Sequence, residues 1–207
     1  MVDNKVIELN PESSEAWFNK AVACSNSGDF ETAIKCYNKS IELKPNNESA
    51  INNRAVTLNR MGKHEEAIKD YDKLLELNPQ NYDALINKGI SLGNLTKFEE
   101  ALKCFNTANE MKPNYERVWV NIGMVKDNMG KTEEALKCYK KALELNSKDF
   151  LVWYGKARVE ARLNKKSEML ASLKKTFELN KSFKQTIKSD PSFKLYLDDK
   201  DFKNLLK

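Results

Sequence analysis

The hydrophobic and polar positions of this 207-residue chain follow a pattern that repeats every 34 residues. The pattern is clearest in residues 82–115, and a shift of 34 residues in either direction places this segment on a similar one. The aligned copies are residues 14–47, 48–81, 82–115, 116–149 and 150–182. Because a fixed period of about 20–50 residues is typical of a solenoid, every local motif is interpreted within the repeat.

Each copy predicts two helices. In residues 82–115 the first helix is expected from about Asp83 to Leu95, and Thr96-Lys97-Phe98-Glu99 has the form of a capping box. The second helix is expected to end near Met111, because Pro113 lacks the N–H that a helix needs. Residues at helical spacing mark the faces that pack: Leu85, Gly89, Leu92, Ala101, Phe105 and Ala108. A lone helix pair cannot bury both of its apolar sides, so successive pairs are expected to stack.

Several residue types keep one register across the copies. In the first helix a bulky residue is followed four positions later by a small one, at Trp17/Ala21, Ile51/Ala55, Leu85/Gly89, Trp119/Gly123 and Trp153/Ala157. In the second helix alanine precedes an aromatic residue, at Ala33/Tyr37, Ala67/Tyr71, Ala101/Phe105 and Ala135/Tyr139. Prolines end three copies, at Pro45, Pro79 and Pro113. Residues 14–182 thus resemble the tetratricopeptide repeat, which implies an all-α, right-handed superhelical α-solenoid of stacked antiparallel helix pairs.

Some positions depart from this pattern. Ser147 stands where proline is expected, and Thr96 stands where the glycine between the two helices is expected. In the last copy Met169 replaces the alanine and Leu173 replaces the aromatic residue. We therefore expect the fifth copy to pack irregularly.

Two segments lie outside the five copies. Residues 1–13 match the end of a second helix, which indicates either a piece of a longer array or an N-terminal cap. The fragment interpretation is favoured, because caps have a more polar outer face. Residues 183–207 contain two short helix starts with an apolar set of Phe193, Leu195, Leu197, Phe202, Leu205 and Leu206. Segments of this kind are similar to those that cover the last repeat of many such proteins, so a capping role is expected.

Composition narrows the class of protein. Cys36, Cys104 and Cys138 share one position of the second helix, and Cys24 stands apart. Without a CxxC motif or a nearby histidine, the cysteines predict reduced thiols, no metal and a cytoplasmic protein. There is no apolar run long enough for a membrane span and no signal-peptide pattern, so no membrane partner is expected. Residues 150–207 carry 14 basic and 7 acidic side chains, a charge of +7 that could face an acidic partner.

The sequence lacks the residues of a catalytic site. His64 is the single histidine and is expected to be exposed at the start of a second helix. The pairs Glu65-Glu66, Glu99-Glu100 and Glu133-Glu134 recur in the first turn of second helices, where acidic side chains complement the helix dipole. We therefore predict that the chain is not an enzyme and holds no cofactor.

The positions most suited to binding lie on the first helices, which line the concave groove in the family that the chain resembles. A row of asparagines could pair with an extended peptide backbone, because each side chain has a donor and an acceptor. Alternatively, asparagine is simply common at this slot in the family. Apolar neighbours would add contact area, and the fifth copy offers an aromatic residue with two arginines for an acidic group. The groove positions are Asn19, Val22, Asn53, Val56, Asn87, Ile90, Asn121, Met124, Tyr154, Arg158 and Arg162.

These features predict an interaction scaffold that holds a peptide or protein segment in its groove. The two-carboxylate clamp of chaperone-binding relatives is not matched, since Phe18/Val22, Asn52/Val56 and Ile86/Ile90 replace its lysine and asparagine pairs. The alternative is a self-assembling homo-oligomer that stacks through Val6, Ile7 and Leu9 of the open half-repeat. Nucleic acid is not an expected partner, because Lys165-Lys166 and Lys174-Lys175 lack interleaved aromatic residues.

Overall fold

The computed structural model describes residues 7–8 and 10–207, and within them all regular structure is helical. Val6 and Leu9, on which the self-assembly hypothesis depends, lie outside the described residues. Ten helices of similar length follow one another as five pairs: α1 (Ser14–Ser27), α2 (Phe30–Leu43), α3 (Glu48–Arg60), α4 (His64–Leu77), α5 (Tyr82–Asn94), α6 (Phe98–Met111), α7 (Glu116–Asn128), α8 (Thr132–Leu145), α9 (Phe150–Arg162) and α10 (Lys166–Leu179). The tandem helix pairs confirm the all-α solenoid fold class.

The chain forms two compact units, Met1–Met111 and Lys112–Lys207. In the first unit the core runs through the small and aromatic slots of the repeat, including Ala21, Tyr37, Ala55 and Tyr71. In the second unit one cluster lies around Tyr139 and Val152, and another joins α9 and α10 to the C-terminal segment. The small and aromatic residues that carry the family resemblance therefore help to build the core.

Short polar side chains begin several first helices, as their positions predict. The side chain of Asn47 accepts a hydrogen bond from the Ala50 amide at 3.2 Å, and Asn81 accepts one from Ala84 at 3.0 Å. The Asp149 carboxylate accepts one from the Leu151 amide at 2.8 Å. Each of these bonds satisfies an amide that has no partner within the first turn of its helix.

The turns between paired helices require left-handed backbone. Gly28, Gly62 and Gly130 have φ of 86°, 74° and 74°, and Thr96 and Asn164 have φ of 59° and 56° at the equivalent places. The predicted capping box at Thr96 is therefore wrong: α6 begins at Phe98, and Thr96 supplies the turn conformation that glycine supplies elsewhere. For a β-branched residue this conformation is strained.

Replacing Thr96 by glycine is expected to stabilise the chain by about 1 kcal/mol, because it removes the clash between Cβ and the backbone. Thr96 is exposed, so little contact is lost. Thr96→Ala retains Cβ and should leave the free energy of unfolding nearly unchanged. Denaturant unfolding of both variants measures the difference, and equal stabilisation by alanine and glycine would contradict the explanation.

Small residues of the first helices pack against the aromatic residues of the second helices. A Cβ placed on Gly89 would lie 2.6 Å from the ring of Phe105, and one on Gly123 would lie 3.2 Å from the ring of Tyr139. The absence of a side chain therefore allows each helix pair to approach closely around its aromatic residue. This is why glycine occupies the slot in these copies.

The expectation that the fifth copy packs irregularly is wrong. Helices α9 and α10 have 13 and 14 residues, the lengths of the three pairs before them. Met169 and Leu173 are both fully buried beside Ala157. A larger residue in the alanine slot and a smaller one in the aromatic slot keep the filled volume similar, so both slots are filled in this copy as well.

The C-terminal segment packs against α9 and α10. It consists of a 3₁₀ turn (Lys181–Phe183), α11 (Lys184–Ser189), a second 3₁₀ stretch (Pro191–Tyr196) and α12 (Lys200–Leu205). Ile187, Phe193 and Phe202 are fully buried with Leu173 and Phe177. Within the second unit, this segment covers apolar surface that the last helix pair would otherwise expose.

Candidate peptide-binding site

In the first unit the structure brings three groove positions together. Val22, Asn53 and Val56 line one depression of about 160 Å³, and their neighbours in its wall are Ser25, Asn26, Tyr37, Thr57 and Arg60. The wall is formed by α1 and α3, with the Tyr37 ring of α2 between them. The depression therefore combines apolar contact with an amide and a guanidinium group.

Hydrogen bonds hold the base of this depression. The Thr57 hydroxyl donates to the Asn53 carbonyl at 2.7 Å and lies 3.1 Å from the Ser25 hydroxyl. Burial raises the pKa of Tyr37, against hydrogen bonds with Thr57 and Asn53 that lower it. The Asn53 side-chain oxygen also accepts a hydrogen bond from Asn52 at 3.4 Å. Asn53 is therefore oriented by its neighbours, which reduces the entropy that a ligand must overcome.

The other groove positions of the first unit lie outside this depression. Asn19 is exposed, whereas Asn87 and Ile90 are half-buried. Near Asn87, the Ser91 hydroxyl donates to the Asn87 carbonyl at 2.9 Å and also lies 2.9 Å from the Asn59 side-chain oxygen. The asparagine row is thus present along the helices, but its members have different surroundings.

His64 belongs to the same network and is not exposed as predicted. Its Nδ1 lies 3.0 Å from the Asn59 side-chain oxygen, and the ring is half-buried. The Asn59 amide group also donates to the Tyr71 hydroxyl at 3.3 Å. This histidine therefore has a structural role at the turn between α3 and α4.

In the second unit three further groove positions share a cavity of about 290 Å³. Met124, Tyr154 and Arg158 line it together with Val120, Tyr139, Asp149, Leu151, Val152 and Gly155. Asn121 is not part of the lining, and its side-chain amide donates to the Arg117 carbonyl at 2.7 Å on its own helix. The asparagine of this copy therefore has one of its two amide hydrogens occupied.

The aromatic residue and two arginines of α9 bind carboxylates of this chain. The Tyr154 hydroxyl donates to Asp190, and Arg158 Nε lies 3.2 Å from the Ser192 hydroxyl and 3.5 Å from the Asp190 carboxylate. Arg162 is paired with the buried carboxylate of Asp127. The acidic group expected from a partner is thus supplied, in part, from within the second unit.

The titration of these groups reflects that arrangement. Burial and the hydrogen bond to Asp190 raise the pKa of Tyr154 to about 12. Burial by itself would raise the pKa of Asp190, but hydrogen bonds from Tyr154 and Ser192 hold it below its usual value. The pair is therefore a neutral phenol bound to an ionised carboxylate at neutral pH.

Two copies have a polar side chain bonded to a cation in the slot that holds cysteine in the other copies, and no motif in the sequence predicts these bonds. Burial raises the pKa of the thiols of Cys36, Cys104 and Cys138, so these cysteines are unreactive fillers. The same slot holds Asp70 and Ser172 in the remaining copies, and each bonds a cation of the preceding helix. Aligning the five copies at the cysteine position shows that Asp70 and Ser172 replace cysteine, which is the sequence signal for these bonds.

Metal and membrane sites were also sought in the described part of the chain. Residues 7–8 and 10–207 contain no cluster of three or more histidine, cysteine, aspartate or glutamate side chains placed to hold a metal ion. No helix among these residues has the length and apolar character needed to cross a membrane.

Solved structures with similar folds share the paired helices. MamA 41-end from Desulfovibrio magneticus RS-1 is 20% identical with a TM-score of 0.72, and the match covers 82% of this chain and 96% of that one. TTC0263, a TPR protein of Thermus thermophilus, is 18% identical with a TM-score of 0.68, covering 82% and 92%. YrrB, described as a TPR protein with an unusual peptide-binding site, is 23% identical with a TM-score of 0.64, covering 87% and 93%. The comparison with curated proteins finds no match.

Family models give the assignment by sequence. One model of the tetratricopeptide repeat matches residues 14–47, 49–81 and 116–149, and a second model of the same repeat matches residues 70–103. Together the matches cover more than half of the chain, and those of the first model coincide with observed helix pairs. The chain therefore belongs to the tetratricopeptide repeat family, whose fold is typical of scaffolds for protein–protein interaction.

Proposed function

We propose that this protein is an interaction scaffold that binds an extended segment of another protein along the first helices of its repeats. The observation that supports this most is the depression in the first unit, where Val22, Asn53 and Val56 meet although they come from two repeats. Two of these residues offer apolar contact, and the third presents an amide to a peptide backbone.

The expected affinity is modest. A net hydrogen bond contributes about 1 kcal/mol, and ordering a flexible peptide costs about 2–5 kcal/mol. Asparagines alone would therefore leave weak binding, and apolar contact with Val22 and Val56 is needed for micromolar dissociation constants. This balance makes the asparagine and the valine together the appropriate targets for mutation.

The double variant Asn53→Ala/Val56→Glu is expected to weaken peptide binding at least tenfold, since it removes an amide and places a charge against the peptide. Peptides selected from a random 12-residue library on the wild-type chain serve as probes, and isothermal calorimetry measures their dissociation constants. The matched control is Asn106→Ala/Leu77→Glu, which makes the same types of change at exposed positions of α6 and α4.

Circular dichroism and thermal unfolding must show that both variants retain the fold. Equal binding by the wild type and Asn53→Ala/Val56→Glu would contradict this site, as would failure to select any peptide. Loss of binding in the control variant as well would place the peptide away from the first helices.

A further inference from the structure

The cavity in the second unit lies at a slot of the repeat that lacks a side chain in the fifth copy. Asn19, Asn53, Asn87 and Asn121 occupy this slot in four copies, and Gly155 occupies it in the fifth. A Cβ on Gly155 would lie 3.1 Å from the ring of Tyr139, which is only 4% exposed, so the glycine lets this buried ring form the base of the cavity. A glycine within a helix is unfavourable by about 1 kcal/mol relative to alanine, so its presence here requires a reason in packing or function.

The walls of the cavity are apolar and open to solvent. Val120 and Val152 contribute side chains to the lining, and Met124 and Leu151 stand at its edge with 51% and 54% of their surface exposed. The volume of about 290 Å³ lies just below the range of about 300–1,000 Å³ seen for small-molecule sites. A cavity of this size and character suits one bulky apolar side chain of a peptide.

One end of the cavity is cationic. Arg158 bonds Ser192 and Asp190 through Nε, and its two terminal nitrogens make no hydrogen bond within the described part of the chain. Asp149, at the opposite end of the lining, caps α9 and lies nine residues before Arg158, about 13 Å along the helix. The surrounding unit has 22 basic and 13 acidic side chains, so the electrostatic field also favours an anionic group beside Arg158.

We propose that this cavity, the Gly155 pocket, binds a partner protein through a bulky apolar side chain that is followed directly by an acidic residue. The apolar side chain lies against the exposed side chains of Met124 and Leu151, and the carboxylate meets the terminal nitrogens of Arg158. The inference rests on the proposed function in that it assumes a peptide ligand, but it concerns a different unit and different residues from the depression around Asn53.

Backbone chemical shifts of the ¹⁵N-labelled full chain provide the test. Three ten-residue peptides with Gly-Ser flanks carry Phe-Asp, Phe-Lys or Ala-Asp at their centre, and each is added to about 2 mM because short anchors bind with millimolar dissociation constants. The Phe-Asp peptide is expected to shift amides of residues 151–158. The Phe-Lys peptide should bind about tenfold more weakly, and the Ala-Asp peptide should not bind.

Met124→Asp places a charge at the edge of the pocket and is expected to weaken binding of the Phe-Asp peptide at least tenfold. Gly155→Ala, which partly fills the floor, provides a second variant. Leu179→Asp is the matched control, since Leu179 is similarly exposed but does not line the pocket. This control should bind as the wild type does.

Several results would overturn the proposal. Equal dissociation constants for the Phe-Asp and Ala-Asp peptides would show that the apolar side chain does not contribute to binding. Equal values for the Phe-Asp and Phe-Lys peptides would show that the carboxylate does not contribute. Shifts confined to residues 14–94 would reject this pocket while leaving the proposed function intact, and no shifts together with no selected library peptide would reject both. A concentration-dependent mass by light scattering that is lost in Met124→Asp would identify a second copy of the chain as the occupant.

Discussion

Replacing Lys156 by methionine is expected to destabilise the second unit by about 3–5 kcal/mol, because it leaves the carboxylate of Glu160 buried without its cation. Lys156 Nζ lies 2.6 Å from Glu160 and 2.8 Å from the Ser172 hydroxyl, which itself donates to Glu160 at 2.6 Å. The two charged side chains are only 13% and 2% exposed. Water therefore cannot replace the lost partner.

Guanidinium-induced unfolding, followed by circular dichroism, measures this effect. The control is the double variant Lys156→Met/Glu160→Met, which removes both charges and should recover most of the lost stability. In contrast, Lys141→Met removes an exposed ion pair with Glu144 and should change the free energy of unfolding by less than about 1 kcal/mol. A cost below about 1 kcal/mol for Lys156→Met would show that the network is not tightly desolvated.

The second large effect is expected in the C-terminal segment, where Phe193→Ala should destabilise the second unit by about 3–5 kcal/mol. The Phe193 ring is fully buried, and its centroid lies 5.9 Å from that of Phe202 and 6.4 Å from that of Tyr154. Truncation leaves a cavity between this segment and α9. Because Asp190 lies only three residues before Phe193, the hydrogen bond between Asp190 and Tyr154 should also weaken.

Leu195 provides a control within the same 3₁₀ stretch, since 85% of its surface is exposed. Leu195→Ala should leave the free energy of unfolding unchanged within about 0.5 kcal/mol. The tyrosine absorbance gives a second measurement, because a looser Tyr154 should titrate below its pKa of about 12 in Phe193→Ala. A small loss of stability equal to that of Leu195→Ala would mean that the segment does not anchor α9.

Much of the fold could be predicted from recurring residues. The pairing of small and aromatic slots, such as Gly89 with Phe105, follows from a register that several residue types keep together. The caps at Asn47, Asn81 and Asp149 are of a kind that sequence can predict, because an N-cap depends on a side chain and amides close in sequence. The capping box predicted at Thr96 is wrong because a Thr-x-x-Glu pattern does not reveal whether the threonine adopts a left-handed turn.

The candidate site could be predicted only in part. The slots of Val22, Asn53 and Val56 follow from the repeat, and the structure brings these residues to one depression. The spacing of Tyr154, Arg158 and Arg162 suggested a site for an external acid. Their bonds to Asp190 and Asp127 span roughly 35 residues of sequence, a separation at which periodicity within one helix carries no information.

The repeat length, the helix pairs and the family can be predicted from the sequence, because they depend on short-range spacing that recurs in five copies. Only the tertiary structure shows which polar side chains bond other residues of the chain and which face solvent. Asp70 and Glu160 are buried within ion pairs, and Gly155 and Met124 line the same pocket. Such features depend on contacts between residues of different helices. The local sequence pattern predicts the position of a residue on its own helix, but its neighbours on other helices are known only from the folded structure.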